Sequence, residues 1–148
     1  MTSVKELRLL SHLRLDSREK LTSISQKTNI PISTLFDMLK EMQTGLIIKN
    51  TVILDFSKLG YHTHAQVFLK VALEQKEGLK KHLYLHPQIN SVYKINNGWD
   101  FVVETVHLNN KELDLFLENL TSYGVIDQEI YYLIEEVKKE SFLITPLD

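Results

Sequence analysis

A chain of 148 residues is long enough for one ordinary domain or two small ones. Its apolar share of 43% and charged share of 24% sit near the globular average, which excludes long disorder, collagen and coiled-coil fibre. The net charge of −2 hides an asymmetry: residues 1–50 hold eight Lys/Arg against five Asp/Glu, and residues 51–148 hold nine against fourteen.

Val4, Leu7, Leu10 and Leu13 recur at steps of three with polar residues between them, which predicts an amphipathic helix over 4–14. Asp16-Ser17 breaks it. Either residue is a candidate cap for the next helix, and Asp16 with Glu19 has capping-box spacing. Leu21, Ile24 and Thr28 line a short second helix, and Asn29 is a left-handed turn residue. Pro31 forbids simple continuation. Ser33 is the expected N-cap of a third helix whose buried stripe is Leu35, Leu39 and Met42, with Gly45 as its stop. Three short helices with a tight turn between the second and third form a helix-turn-helix pattern.

The pattern then changes. Residues 46–54, LIIKNTVIL, are rich in β-branched side chains and predict a strand, followed by a turn over 55–60. Beyond it come strand 62–74, helix 77–86, strand 89–96, strand 99–107, helix 110–123 and strand 126–137. Asn97-Gly98 is a strong hairpin signal, because both central positions of a type I′ turn need positive φ. Asn109 or Asn110 is placed to cap the last helix and Gly124 to end it. The order βαββαβ is the ferredoxin-like split motif. Two helices on one face of a four-stranded antiparallel sheet leave the other face open, and a homodimer through that face is the simplest cover. The fold class is therefore α+β. A winged-type three-helix domain (1–50) is followed by a connecting strand and turn (51–60) and a ferredoxin-like domain (61–148).

Four segments resemble the Lrp/AsnC family, the feast/famine regulators of bacteria and archaea. Ile30-Pro-Ile-Ser-Thr-Leu35 resembles the family's entry into the recognition helix. Gly45-Leu-Ile47, then Leu54 and Leu59-Gly60-Tyr61, resembles its Gly-x-Ile … Leu-Gly-Tyr connection. Asn97-Gly-Trp-Asp100 resembles its Gly-x-aromatic-Asp hairpin, and Gly124-Val125 with Glu135–Lys138 its last strand. The resemblance covers nearly the whole chain. It implies a transcription regulator that binds double-stranded DNA, pairs through the sheet domain, often assembles into octamers, and senses an amino acid near the hairpin. In three places the chain departs from the pattern: Met38 stands where the family carries an arginine, the third helix is one residue short before Gly45, and the hairpin glycine is displaced to Gly98.

For DNA the expected contacts are Thr34, Phe36, Asp37 and Lys40 on the third helix. Backbone amides at Ser33 and Thr34, and the cations Arg14, Arg18, Lys20, Lys27 and Lys49, are candidates for phosphates. Asp37 can accept from a cytosine amino group, and Phe36 can touch a thymine methyl. For an effector the candidates are Asn97, Gly98, Trp99 and Asp100, with Tyr123 and Val125 nearby. A carboxylate can meet an α-ammonium, and turn amides can meet a carboxylate. A plain turn with a packed Trp99 explains the same residues. His82 and His86 stand at i and i+4, a metal-compatible spacing without an evident third ligand, so no metal and no cofactor are expected. The absence of cysteine removes disulfides and thiolate chemistry and fits a cytoplasmic protein. No apolar run reaches the roughly 20 residues of a membrane helix, and the charged N-terminus does not read as a signal peptide. No Gly-rich phosphate loop, nucleophile elbow or His-Glu-x-x-His occurs, so no enzyme is expected. Siroheme decarboxylases resemble the same two-part architecture, but their arginine and histidine signatures are not matched. The alternative function is a metabolite-sensing or protein-interaction module of this fold that has lost specific DNA binding.

Overall fold

The computed structural model describes residues 2–145. They form two compact units: a helical unit up to Val52 that also takes in the segment from Val137, and a sheet unit, Ile53–Glu136.

In the helical unit, α1 (Val4–Leu15), α2 (Leu21–Thr28) and α3 (Ile32–Met42) pack around Leu9, Ile24, Ile30, Leu35 and Met42. Helix α1 opens on a capping box that the amphipathic pattern did not flag: Ser3 Oγ accepts the Glu6 N–H, and Glu6 accepts the Ser3 N–H. Asn29 has φ 58°, as its place in the turn requires. Ser25 Oγ donates to the Ile30 carbonyl at 2.6 Å and fixes the approach to α3.

Three expected helix ends differ. The Asp16/Glu19 capping box does not form. Asp16 instead ends α1 and accepts the Arg18 N–H, while Lys20 is the N-cap of α2 without a side-chain bond. Glu19 is drawn instead to His12 and Lys27. Ser33 is not the N-cap of α3, because Pro31 supplies the extended cap residue and the helix starts at Ile32. Helix α3 stops at Met42, and Gly45 lies in the following turn without positive φ.

The expected strand over 46–54 is absent, and residues 47–55 are irregular. Ile48 is 95% exposed and Val52 70% exposed. A β-rich sequence becomes a strand only against a partner ladder, and none of the four strands of the sheet offers one to this segment.

The sheet unit is β1 (Thr63–Val71), α4 (Lys76–Leu85), β2 (Ile89–Lys94), β3 (Phe101–His107), α5 (Asn110–Leu120) and β4 (Val125–Tyr132). Every pairing is antiparallel and the order is β2-β3-β1-β4, the ferredoxin-like arrangement. Strand β4 ends at Tyr132, short of the expected 137, and its last pair with β1 is Tyr132 with Ala65. Period-2 alternation along β1 buries Ala65, Val67, Leu69 and Val71 against Leu79 and Leu83 of α4 and Leu113, Phe116, Leu117 and Leu120 of α5. The opposite face carries His64, Gln66, Phe68 and Lys70 from β1. Asn109 Oδ1 caps α5 by accepting the Glu112 N–H at 2.9 Å. Gly124 follows α5 with φ 85°, and the Gln75 side chain occupies the space a Cβ would need, so only glycine fits.

Candidate functional site

The helical unit presents α3 as an amphipathic rod. Leu35 and Met42 are buried, while Ser33, Phe36, Asp37 and Lys40 are exposed and Thr34 is half-buried. Phe36 is 57% exposed, an apolar side chain held in solvent. Met38 packs against the three-helix core. At this position the chain thus carries a core-facing side chain rather than an outward cation. The first turn of α3 takes no side-chain cap, which leaves the Ser33 and Thr34 N–H groups as donors for an anion.

Arg18 and Lys20 are exposed on the turn between α1 and α2. Lys27 is committed elsewhere. Its Nζ lies 2.8 Å from Glu19 Oε1, and Glu19 also accepts from Ser23 Oγ and meets His12 Nδ1 at 3.1 Å. The hydrogen bond from Lys27 holds the Glu19 carboxyl below its usual range, against the opposing effect of burial. Glu19 therefore ties α1 to α2, a role that its spacing to Asp16 disguised.

At the hairpin Asn97 and Gly98 both have positive φ, 68° and 95°. The side chain of Asp100 turns back into the sheet. One oxygen accepts the Val71 N–H at 2.9 Å, and the other lies 3.0 Å from Lys76 Nζ. The Val71 hydrogen bond and then Lys76 hold its carboxyl below the ordinary range. Trp99 tilts against Phe68 at 6.0 Å, and Phe68 meets Tyr131 edge-on at 5.7 Å. Val125 pairs with Val71, so it lies one strand from Asp100. Tyr123 is spent differently, stacked on the His82 ring at 3.7 Å. The hairpin thus sets Trp99 and Asp100 against β1, with Val125 on the far side of that strand, and Tyr123 lies among the histidines.

Sequence reasoning missed a cavity of about 360 Å³ at the other end of β2 and β3. Phe56, Tyr61, Ile89, Val106 and Leu108 give it apolar walls, and Glu112 lines it with a carboxylate. Only the topology brings these segments together. Among the described residues no group of three or more His, Asp or Glu is arranged to hold a metal ion, and no helix is long and apolar enough to cross a membrane.

No family model matches the chain. The HTH-type transcriptional regulator FL11 of Pyrococcus furiosus is 27% identical over 135 residues, spanning 90% of this chain and 89% of that protein. The HTH-type transcriptional regulator LrpB of Bacillus subtilis is 22% identical over 135 residues, with the same two coverages. The chain is thus similar to HTH-type transcriptional regulators along most of its length. Among solved structures, the transcriptional regulator NMB0573 of Neisseria meningitidis, in complex with L-Met, shares this fold with a TM-score of 0.85 at 15% identity, over 94% of each chain.

In the helical unit, one further basic residue expected to meet phosphate is otherwise engaged. Arg14 Nε donates to the Phe142 carbonyl at 3.0 Å, Nη2 donates to the Glu140 carbonyl at 3.1 Å, and Nη1 meets the Glu140 carboxylate at 3.4 Å. Glu140 and Leu143 have positive φ, 50° and 62°. Non-glycine residues hold that conformation only where their surroundings impose it, and the Arg14 fork supplies part of the constraint. Arg14→Ala is expected to speed tryptic cleavage at Lys138 and Lys139 and amide exchange over 140–143. Global stability should change by less than about 1 kcal/mol, since the ion pair is exposed. Unchanged exchange in this segment would show that Arg14 does not restrain it.

Proposed function

We propose that this chain is a sequence-specific DNA-binding transcription regulator that works as a dimer or a larger assembly and responds to a small molecule. The observation that carries the reading is the pairing of a helix-turn-helix unit, with α3 presenting Ser33, Phe36, Asp37 and Lys40 outward, with a ferredoxin-like sheet whose second face is open. Helix α3 enters the major groove, where Lys40 reaches a guanine edge or a phosphate, Asp37 accepts from a cytosine and Phe36 touches a thymine methyl. The N–H groups of Ser33 and Thr34, with Arg18 and Lys20, hold the backbone. Lys27 adds positive field although it is paired with Glu19.

The open face of the sheet carries Phe68, Trp99 and Tyr131 as an aromatic cluster beside the His64–Glu104 pair at 2.6 Å. A second copy of the chain covers this apolar surface and sets the spacing of two half-sites. An effector of amino-acid type binds the sheet domain and favours one assembly over another. By linkage it must bind those states unequally. The L-Met held by NMB0573 supports this class of ligand.

Selection from a randomised duplex pool at near-physiological salt tests the reading, and a pseudo-palindrome is the expected product. Lys40→Ala is expected to weaken binding to the selected site at least tenfold, about 1.4 kcal/mol. Lys81→Ala on α4 leaves it unchanged; Lys76 is a poor control because it is paired with Asp100. The acidic Asp37 and Glu41 beside Lys40 favour a second reading, a sensing module without specific DNA binding. A folded dimer that enriches no duplex would establish that reading instead.

A further inference from the structure

The two ends of the β2–β3 pair offer a ligand opposite electrostatics. At the hairpin end the Asp100 charge is already matched by Lys76 and the Val71 N–H. At the other end, about 20 Å away along the seven residues of β3, Glu112 lines the cavity. Among the described residues its ion-pair partner is His107 alone, with Nδ1 at 3.9 Å, beyond hydrogen-bond reach. His107 is fully buried, both its ring nitrogens lack a hydrogen-bond partner, and burial disfavours its protonation. The cavity is within the size range of small-molecule sites, and Gln88 and Asn90 line it beside its apolar residues and Glu112.

We propose that the cavity bounded by Phe56, Tyr61, Ile89, Val106, Leu108 and Glu112 is a binding site for a small ligand with a primary ammonium group on an apolar body. The ammonium pairs with Glu112, and the body lies on Val106 and Leu108 against the Phe56 and Tyr61 rings. An unmatched carboxylate beside apolar walls selects for this combination. A carboxylic acid of the same shape would meet like charge, and a neutral molecule would leave Glu112 without a partner. The inference rests on the reading that the sheet domain senses a small molecule, and it places a second site apart from the hairpin.

The test uses the full chain and two probes of equal size, 2-phenylethylamine and 2-phenylethanol, followed by methyl NMR at pH 7.5. The amine is expected to shift the methyl signals of Ile89, Val106 and Leu108, and to bind at least tenfold more tightly than the alcohol. Glu112→Gln should remove that preference and leave alcohol binding unchanged. Val106→Phe, which fills the cavity with an apolar side chain, should weaken both probes. Equal binding of amine and alcohol, an unaltered preference in Glu112→Gln, no binding, or shifts confined to the hairpin would each overturn the site. The DNA experiment fails separately. A chain that enriches a duplex but ignores the amine loses this site and keeps the regulator reading, whereas one that binds the amine and enriches no duplex keeps the site and loses that reading.

Discussion

Acidification from pH 8 to pH 5.5 is expected to destabilise the sheet domain sharply, well above the range in which its carboxylates titrate. Three histidines are built into the helix side of the sheet. His82 and His86 on and just beyond α4 meet edge-on at 5.5 Å, His86 meets Phe116 at 4.9 Å, and His107 on β3 meets Phe116 at 5.3 Å. Nε2 of His82 and both ring nitrogens of His107 are buried without a hydrogen-bond partner. Nδ1 of His86 accepts the Gln88 N–H at 3.2 Å, a bond that requires this nitrogen to be unprotonated. Burial pushes all three below the ordinary 6.5. His82 further disfavours charge on His86. On His107, Glu112 opposes the shift and His86 adds to it.

The sign follows from proton counting. An unfolded chain takes up protons near pH 6.5, while the folded chain resists them. Stability is therefore full above 6.5, falls as pH drops below it, and levels off below the folded-state values. Three imidazoles titrating together set a limit of about 4 kcal/mol per pH unit. Urea unfolding of the sheet domain at pH 8, 6.5 and 5.5 reads the slope. His107→Leu removes two orphaned nitrogens and should flatten it. A slope identical in wild type and His107→Leu, or none in either, would refute this role. Glu19 and Asp100, whose carboxyls are held low, lose their stabilising effect only as pH falls below the usual carboxylate range, so the two effects separate.

Asp100→Ala is expected to destabilise the sheet domain by about 2–4 kcal/mol, because it orphans a backbone N–H and breaks a partly buried ion pair. The Val71 N–H sits at the end of β1, where the register against β4 shifts between Lys70 and Val71, and Asp100 supplies its acceptor. The same side chain holds Lys76 at the start of α4. It thus joins the hairpin, the end of β1 and the first turn of α4. Asp100→Asn keeps an oxygen for Val71 and loses the charge, so it should cost less than half as much. Chemical unfolding of the three proteins at pH 7.5 checks this. An Asp100→Ala protein as stable as wild type, with altered ligand response, would instead make Asp100 an effector residue. The hairpin motif reads as ligand-binding by resemblance, and the geometry gives its carboxylate a structural task first.

Those features set by local chemistry were legible in the chain. Positive φ at Asn29 and Asn97, the Gly98 turn, the Asn109 cap and the Gly124 stop follow from which residues tolerate those conformations. The 3.6 and 2.0 periodicities placed α1 to α5 and β1 to β4 within a few residues. Whatever depended on a distant partner was not legible. Residues 46–54 have strand composition but no ladder to join. Glu19 met Lys27 and His12 instead of closing a box with Asp16. Arg14 looks like a surface cation until residues 140–142 return to it, and Lys76 looks free until Asp100 turns inward. His107 sits in an alternating strand with nothing to mark it as fully buried, and the cavity is walled by separate segments drawn from between Phe56 and Glu112. Sequence by itself determined the turns, the helices and the succession of elements along the chain, because backbone preference acts over a few residues. Only the tertiary structure decided which charges are matched, which histidines are dry and where a ligand could enter, because desolvation and pairing depend on neighbours that the chain brings in from afar.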